Sequence, residues 1–198
     1  IDIDLDGRPD LMIMNAAGSM LELDSKPNNL LRNVGGHFTD ISKVTGVGHT
    51  GFGQGVAIGD FNEDGFPDLF FANLGSNRLL RNNGDGSFTD CSDHLVGDLE
   101  AAWSSSASFV DINNDSITDL FVTNYCKPVE NIVTACPDDE GKPGPCHPLR
   151  FPADVDMVFQ GKPDGTFVNI TDRWIQSLLP GRGLGIVSGQ LVKEQLGI

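Results

Sequence analysis

The chain has 198 residues, and its 28 acidic side chains outnumber 13 basic ones, so the formal net charge is −15. This excess of negative charge argues against a nucleic-acid backbone or an anionic membrane surface as partner, because both attract Lys and Arg. The same excess is compatible with cation binding. The 22 Asp against 6 Glu, together with 24 Gly, favour tight turns and oxygen-rich loops over long helices. No apolar run reaches the 18 residues that a membrane-spanning helix needs.

An acidic motif occurs three times along the chain. It follows the pattern D-x-[DN]-x-D-[GS]-x-x-D-L at residues 2–11, 60–69 and 111–120, so the starts lie 58 and 51 residues apart. Self-similarity at a nearly constant period indicates one structural unit used several times. The third copy departs from the others, because Ser116 stands where the first two have Gly.

Two further elements accompany the acidic motif. A small-residue segment precedes it at 51–59 and 102–110 and recurs at 181–189, and a hairpin-like segment follows it at 30–41, 79–91 and 157–170. The hairpin signal is strongest at residues 83–86, whose sequence Asn-Gly-Asp-Gly is rich in turn formers. Each repeat therefore predicts four short strands: the small-residue strand, an apolar strand such as 68–72, a third strand such as 78–82, and a last strand that begins near Phe88.

Four short strands in about 50 residues are typical of one blade of a β-propeller. We therefore predict an all-β fold built from four-stranded blades, with about three blades present and the propeller incomplete. Helical content should be low, and residues 174–179 are the best candidate for a short helix.

The repeats predict a single partial propeller domain over residues 1–198. Its repeats span about 1–50, 51–100 and 101–180, with a Cys- and Pro-rich insertion at 125–154, and a truncated fourth repeat occupies 181–198. The fourth acidic loop is due at Gln190, but Val192 and Glu194 fill its third and fifth positions, so we expect no competent loop there. The chain begins at Ile1 without Met or a leader, and we expect neighbouring sequence or a partner to complete the ring.

The acidic loops carry the residue types that bind calcium. Oxygen donors at positions one, three and five of a loop turned by Gly converge on one point, and three such carboxylates repel one another unless a cation lies between them. Calcium takes about 6–8 oxygen ligands, including side-chain carboxylates and backbone carbonyls. We assign side-chain ligands to positions one, three, five and nine, and a carbonyl ligand to position seven. The predicted ligands are Asp2, Asp4, Asp6, Arg8 and Asp10, then Asp60, Asn62, Asp64, Phe66 and Asp68, then Asp111, Asn113, Asp115, Ile117 and Asp119.

Two alternative interpretations apply to these loops. An EF-hand would need Glu at position twelve and flanking helices, but that position holds Ile13, Phe71 and Val122 within β-prone runs. Asp-rich turns without any metal are the other alternative, because Asp and Asn favour turns by themselves. Three copies at an equivalent place in a repeat favour the metal-binding interpretation.

The four cysteines allow several arrangements. Cys91 occupies the position of Ile41 and Ile170 in the sister repeats, which favours a buried free thiol. Within the insertion we predict a disulfide between Cys136 and Cys146, which fits an oxidising compartment. A zinc site is disfavoured, because no C-x-x-C motif occurs.

The motif G-x-A-x-G-D-F-N-x-D-G-x-x-D-L at 55–69, followed by L-x-R-N-x-G-D-G-x-F-T-D at 79–90, resembles the FG-GAP/VCBS repeat. That family includes the integrin alpha-chain propeller, and the form with a Cys/Pro insertion is similar to the ASPIC/UnbV and cartilage-acidic-protein group. The resemblance implies a Ca²⁺-stabilised propeller that is secreted, periplasmic or at the cell surface, used in adhesion or in binding a protein or glycan. It places the calcium ligands at the positions given above.

No catalytic constellation stands out in the sequence, so we expect a non-catalytic module. The alternative is a propeller scaffold of a secreted carbohydrate-active enzyme, a lyase or hydrolase. Its active site would come from the insertion, with His147, Arg150 and Asp154 as candidates.

Overall fold

The computed structural model describes residues 1–19, 22–97, 102–127, 136–137, 139–144, 146–175 and 179–188. The strands are β1 Leu11–Ile13, β2 Ala17–Ser19, β3 Glu22–Ser25, β4 Asn29–Asn33, β5 Phe38–Asp40, β6 Phe52–Gly59, β7 Asp68–Gly75, β8 Arg78–Asn82, β9 Phe88–Asp90, β10 Leu95–Val96, β11 Ala102–Val110, β12 Asp119–Cys126, β13 Cys136–Pro137, β14 Pro143–Gly144, β15 Met157–Gly161 and β16 Phe167–Asn169. Two single-turn helices, α1 Ser42–Thr45 and α2 Thr171–Trp174, complete the regular structure together with 3-10 turns at Ser92–His94 and Pro148–Arg150. Within these ranges no helix is long and apolar enough to cross a membrane.

The second repeat forms a complete four-stranded antiparallel blade in the order β6-β7-β8-β9. The acidic loop at 60–67 joins β6 to β7, whose register runs from Phe52 opposite Leu74 to Gly59 opposite Asp68. The predicted hairpin joins β8 to β9 and is closed by the Asn83 N–H, which donates to the Ser87 carbonyl at 3.0 Å. The predicted four-stranded blade is therefore confirmed.

The third repeat forms an equivalent blade in the order β11-β12-β15-β16. The insertion lies between β12 and β15 and contains the small β13–β14 hairpin. Strand β11 also pairs with β7 where Ala102 and Trp103 face Gly75 and Leu74, and this pairing joins both blades into one curled sheet. The first repeat supplies β1-β4-β5, with the β2–β3 hairpin inserted between β1 and β4. Together the three repeats give an incomplete all-β propeller, as predicted.

The blades pack face to face through the two sides of β7. Successive strand residues point to opposite faces, and in β7 both faces are apolar. Leu69 and Phe71 enter the core between the first and second blades, and Phe70 and Ala72 enter the core between the second and third. Full burial of each Phe contributes roughly 1.5–3 kcal/mol, so the stacking of neighbouring blades is a main source of stability.

A hydroxyl clasp recurs in every blade after the last strand. The backbone N–H groups of Leu30, Leu79 and Val158 donate to the hydroxyls of Ser42, Ser92 and Thr171 at 2.9, 3.1 and 3.0 Å. Each hydroxyl is fixed in turn by Asp40, Asp90 or Asn169 two residues earlier. The clasp ties the third strand of a blade to the chain that leaves the fourth.

The helix predicted at 174–179 differs from the structure at the residues described there. Helix α2 ends at Trp174, and Ile175 lies outside it; residues 176–178 lie outside the described ranges. The turn begins earlier because the Asn169 side chain accepts the N–H and the hydroxyl of Thr171 at 3.0 and 2.7 Å. The predicted loss of a fourth loop at 190–195 also falls outside the described residues.

The cysteine predictions are confirmed. Cys136 and Cys146 form a disulfide with a Cα–Cα distance of 4.9 Å. Cys91 is a buried free thiol, and its N–H donates to the Leu79 carbonyl at 2.8 Å, as the N–H groups of Ile41 and Ile170 do to Leu30 and Val158 at 2.9 and 2.8 Å. Cys126 is also buried and free.

Candidate metal centres

The three acidic loops share one backbone conformation. Position four has φ of 57° at Leu5, 58° at Glu63 and 61° at Asn114. Position six has φ of 82° at Gly7 and 90° at Gly65, and Ser116 adopts 68° at the same place. The third loop therefore reaches the same turn without Gly, at a backbone cost of roughly 1–2 kcal/mol for a left-handed residue that carries a Cβ.

The Asp at position one caps its own loop with both carboxylate oxygens. Asp2 accepts the N–H groups of positions five and six at 3.1 and 2.9 Å. Asp60 accepts the equivalent pair at 3.1 and 2.8 Å, and Asp111 does so at 3.2 and 2.9 Å. The carboxylate is thus turned inward over the loop.

The Asp at position five accepts the N–H of position seven through one oxygen. Asp6, Asp64 and Asp115 make this contact with Arg8, Phe66 and Ile117, each at 2.9 Å. The contact brings the backbone of position seven against the loop, where we predicted a carbonyl ligand. That the carbonyls of Arg8, Phe66 and Ile117 bind metal stays a prediction.

The Asp at position nine is buried and ties the loop to the third strand of its blade. One oxygen accepts the N–H of position two, from Ile3, Phe61 or Ile112, at 3.0 Å in every loop. The other oxygen accepts an N–H at the end of the third strand: Asn33 to Asp10 at 2.8 Å, Asn82 to Asp68 at 2.8 Å and Gly161 to Asp119 at 2.9 Å. This residue therefore holds loop and blade together.

Burial makes the charge on Asp68 unfavourable in the absence of a cation. Desolvation, together with the nearby charges of Asp64 and Asp60, raises the pKa of Asp68 from 3.8 to about 6. The N–H groups of Asn82 and Phe61 oppose the shift without cancelling it. A cation beside this carboxylate would favour its ionised form.

The first loop brings three carboxylates closest together. Asp2, Asp4 and Asp10 each have an oxygen within 4.8 Å of the others, and the described ranges hold no second such group of His, Cys, Asp or Glu. The Oδ1 of Asp4 is buried without a hydrogen-bond partner. In the other loops position three is an amide, and the Oδ1 atoms of Asn62 and Asn113 accept an N–H at 3.3 and 2.8 Å. An all-oxygen donor set with an unpartnered carboxylate oxygen is of the kind that calcium prefers.

The FG-GAP-like repeat family matches this chain twice, at residues 2–71 and 60–122. Each match includes acidic loops and the strands that follow them. The chain belongs to the FG-GAP-like repeat family. A relative in Homo sapiens, cartilage acidic protein 1, is 27% identical over 129 residues. That similarity covers 62% of this chain and 19% of the relative, so the chain spans about a fifth of the relative's length.

The first of these FG-GAP-like repeats contains two guanidinium groups that sequence reasoning missed. Arg32 pairs with Asp4, and Arg8 pairs with Asp6. From the sequence, Arg8 was predicted to contribute only its carbonyl. Arg32 lies in β4 and comes close to the loop because the N–H of the next residue, Asn33, donates to Asp10 at 2.8 Å.

The insertion in the third FG-GAP-like repeat holds the residues proposed for the enzymatic alternative. The His147 Nδ1 accepts the Leu149 N–H at 3.2 Å, and the Asp154 Oδ1 accepts the Val155 N–H at 2.9 Å. The Arg150 N–H donates to the His147 carbonyl at 2.9 Å. Each of these contacts is local to its own turn.

Proposed function

We propose that the chain is a calcium-stabilised, non-catalytic propeller module that serves adhesion or the binding of a protein or glycan outside the cell. One observation carries this proposal: three separate loops adopt the same backbone turn and place carboxylate or amide side chains at the same four positions, one, three, five and nine. Membership of the FG-GAP-like repeat family supports the same function.

We assign the calcium ligands by their position in the loop. Positions one, three, five and nine would hold the ion in each loop, with the backbone of position seven beside them. Bound calcium would supply the positive charge that lets these carboxylates lie close together. The residues at position nine then link the ion to the blade, because each also receives an N–H from the end of the third strand.

Calcium in these loops would stabilise the fold by mass action, because it binds the folded loops better than the unfolded chain. Each site held at 100 times its dissociation constant contributes about 2.7 kcal/mol. Extracellular calcium modules bind at about 10⁻⁴–10⁻³ M, so the role we assign to the metal is structural.

An extracellular location is part of the same proposal. The Cys136–Cys146 disulfide fits an oxidising compartment. The similar human protein is named for cartilage and for its acidity, and this chain has a net charge of −15. Acidic surfaces of this kind favour partners with basic patches.

Thermal unfolding with and without a chelator tests the calcium proposal. In 5–10 mM calcium, taken as a saturating excess on the scale of about 10⁻⁴–10⁻³ M, we expect Tm to lie at least about 5 °C above its value in EGTA. Asp60→Asn should shrink this difference, and Asp85→Asn in the exposed hairpin between β8 and β9 should leave it unchanged. Equal Tm values in both conditions would contradict the proposal.

A further inference from the structure

Ion pairs distinguish the first acidic loop from the other two. The guanidinium of Arg32 pairs with Asp4 and lies 3.8 Å from an oxygen of Asp6, and Arg8 pairs with Asp6. In the part of the chain that the structure describes, no cationic side chain lies within 4.0 Å of a carboxylate of the second or third loop. The three loops therefore share a backbone but differ in their counter-charges.

The sequence explains this difference. Position seven is Arg8 in the first loop, but it is Phe66 and Ile117 in the others. The strand position of Arg32 is occupied by Arg81 in the second blade and by Gln160 in the third.

The second loop gives Arg81 no carboxylate to pair with at position three. That residue is Asn62, and its amide nitrogen donates to the Asp64 Oδ2 at 2.8 Å. Arg81 instead approaches the Asn83 Oδ1 at 3.5 Å. A neutral amide in the second loop thus takes the place that a guanidinium has in the first.

The charges of the loops differ accordingly. The first loop contains four Asp ligands and two paired guanidinium groups, which leave a formal charge of −2. The ligand sets of the second and third loops each contain three Asp and one Asn, with a formal charge of −3, and Glu63 adds one more negative charge to the second loop. The first loop therefore attracts a divalent cation less strongly. The cation must also compete with the guanidinium groups that Asp4 and Asp6 already contact.

We propose that Arg8 and Arg32 are built-in counter-ions that take the place of calcium in the first loop. The first loop keeps its conformation without metal, and calcium binds there more weakly than in the second and third loops. This inference rests on the proposed function, because it assumes that the second and third loops bind calcium. Both guanidinium groups are nearly half exposed, so each pair changes affinity about two- to fivefold, and together they weaken the first site about tenfold.

Calorimetric titration of the chelator-stripped chain with calcium in 0.1 M KCl tests this inference. We expect two ions to bind in a tighter class and a third ion to bind with a dissociation constant about tenfold higher. Arg32→Gln should lower the dissociation constant of the third ion about fivefold. Arg81→Gln, at the equivalent position of the second blade, is the matched control and should leave the titration unchanged. Three sites of equal affinity in the wild type, unchanged by Arg32→Gln, would overturn the inference but leave the proposed function intact.

A second set of variants reports on each loop separately. Asp60→Asn and Asp111→Asn should each remove one ion from the tighter class, whereas Asp2→Asn, at the equivalent position of the first loop, should remove none. Loss of a tightly bound ion in Asp2→Asn would overturn the inference even if Arg32→Gln failed to fold. No calcium binding by the wild type or by Arg32→Gln would instead refute the proposed function itself.

Discussion

Exchanging the residues at position six between the second and third loops isolates the backbone cost of the turn. Gly65 has φ of 90°, and a Cβ built on it would meet no atom within 4 Å. Gly65→Ser therefore introduces no clash, and its effect comes from the left-handed conformation alone. Ser116 already adopts φ of 68° at the equivalent place, so Ser116→Gly removes the same cost.

The magnitude follows from two opposing contributions. In the left-handed region, a residue with a Cβ lowers the free energy of unfolding by roughly 1–2 kcal/mol relative to Gly. Replacing Gly also restricts the unfolded chain, and this raises the free energy of unfolding by about 0.4–1 kcal/mol. We therefore expect Gly65→Ser to lower the free energy of unfolding by about 1 kcal/mol and Ser116→Gly to raise it by a similar or smaller amount.

Urea unfolding in EGTA measures both changes without a contribution from metal binding. Gly185→Ser is the matched control, because this Gly has open space around its Cβ position and no positive φ. The control should raise the free energy of unfolding by about 0.4–1 kcal/mol, because only the restriction of the unfolded chain acts there. If Gly65→Ser were as stable as the control, the strain that we assign to position six would be absent and the reasoning refuted.

Two further predictions concern the core and the pH dependence of stability. Phe70 is fully buried between the second and third blades, so Phe70→Ala should cost about 3–5 kcal/mol in urea unfolding. Phe38→Ala, at a side chain 48% exposed, should cost less than about 1 kcal/mol, and equal costs would contradict the assigned core. Because the pKa of Asp68 is about 6 in the fold and 3.8 ordinarily, the unfolded chain ionises this group first. The metal-free protein should therefore lose stability, by up to about 3 kcal/mol, as pH rises from about 4 to 6. Asp68→Asn should remove that loss, and an unchanged pH profile in the variant would contradict the raised pKa.

The blades and acidic loops were predictable because their signals repeat. An Asp-rich turn read once is ambiguous, but three copies beside alternating small-residue and apolar segments specify one supersecondary unit. The apolar run at 69–72 predicts a strand buried on both faces, and β7 is such a strand. The Pro-rich insertion at 125–154 contains three of the four cysteines at ten-residue intervals, and the predicted pair, Cys136 and Cys146, is the one that forms the disulfide.

The features that sequence reasoning missed depend on contacts between distant side chains. Arg32 and Asp4 are far apart in sequence and meet only because β4 ends against the first loop. The pairing of β7 with β11 likewise depends on how two blades approach each other. Neither contact has a periodic pattern that would reveal it.

A recurring Asn at the far end of the second strand was also missed, although the sequence contains its signal. Asn15, Asn73 and Asn124 each follow the closing Asp of their loop by five residues. Their N–H groups donate to the side chains of Asn28, Asn77 and Asp156 at 2.9, 3.0 and 2.9 Å. The repeat thus has a polar tie at both ends of this strand, and only the acidic end was recognised from sequence.

The calcium content of the chain after equilibrium dialysis tests the central claim most directly. Protein dialysed against about 10 mM calcium with equimolar magnesium should retain about two or more calcium ions per chain, because this concentration is at least about ten times the dissociation constants of about 10⁻⁴–10⁻³ M of extracellular modules. Asp111→Asn should retain one ion fewer, whereas Asp139→Asn, an exposed acid of the insertion, should retain the full number. A wild-type chain that holds no calcium above the dialysis buffer would contradict the account of these loops.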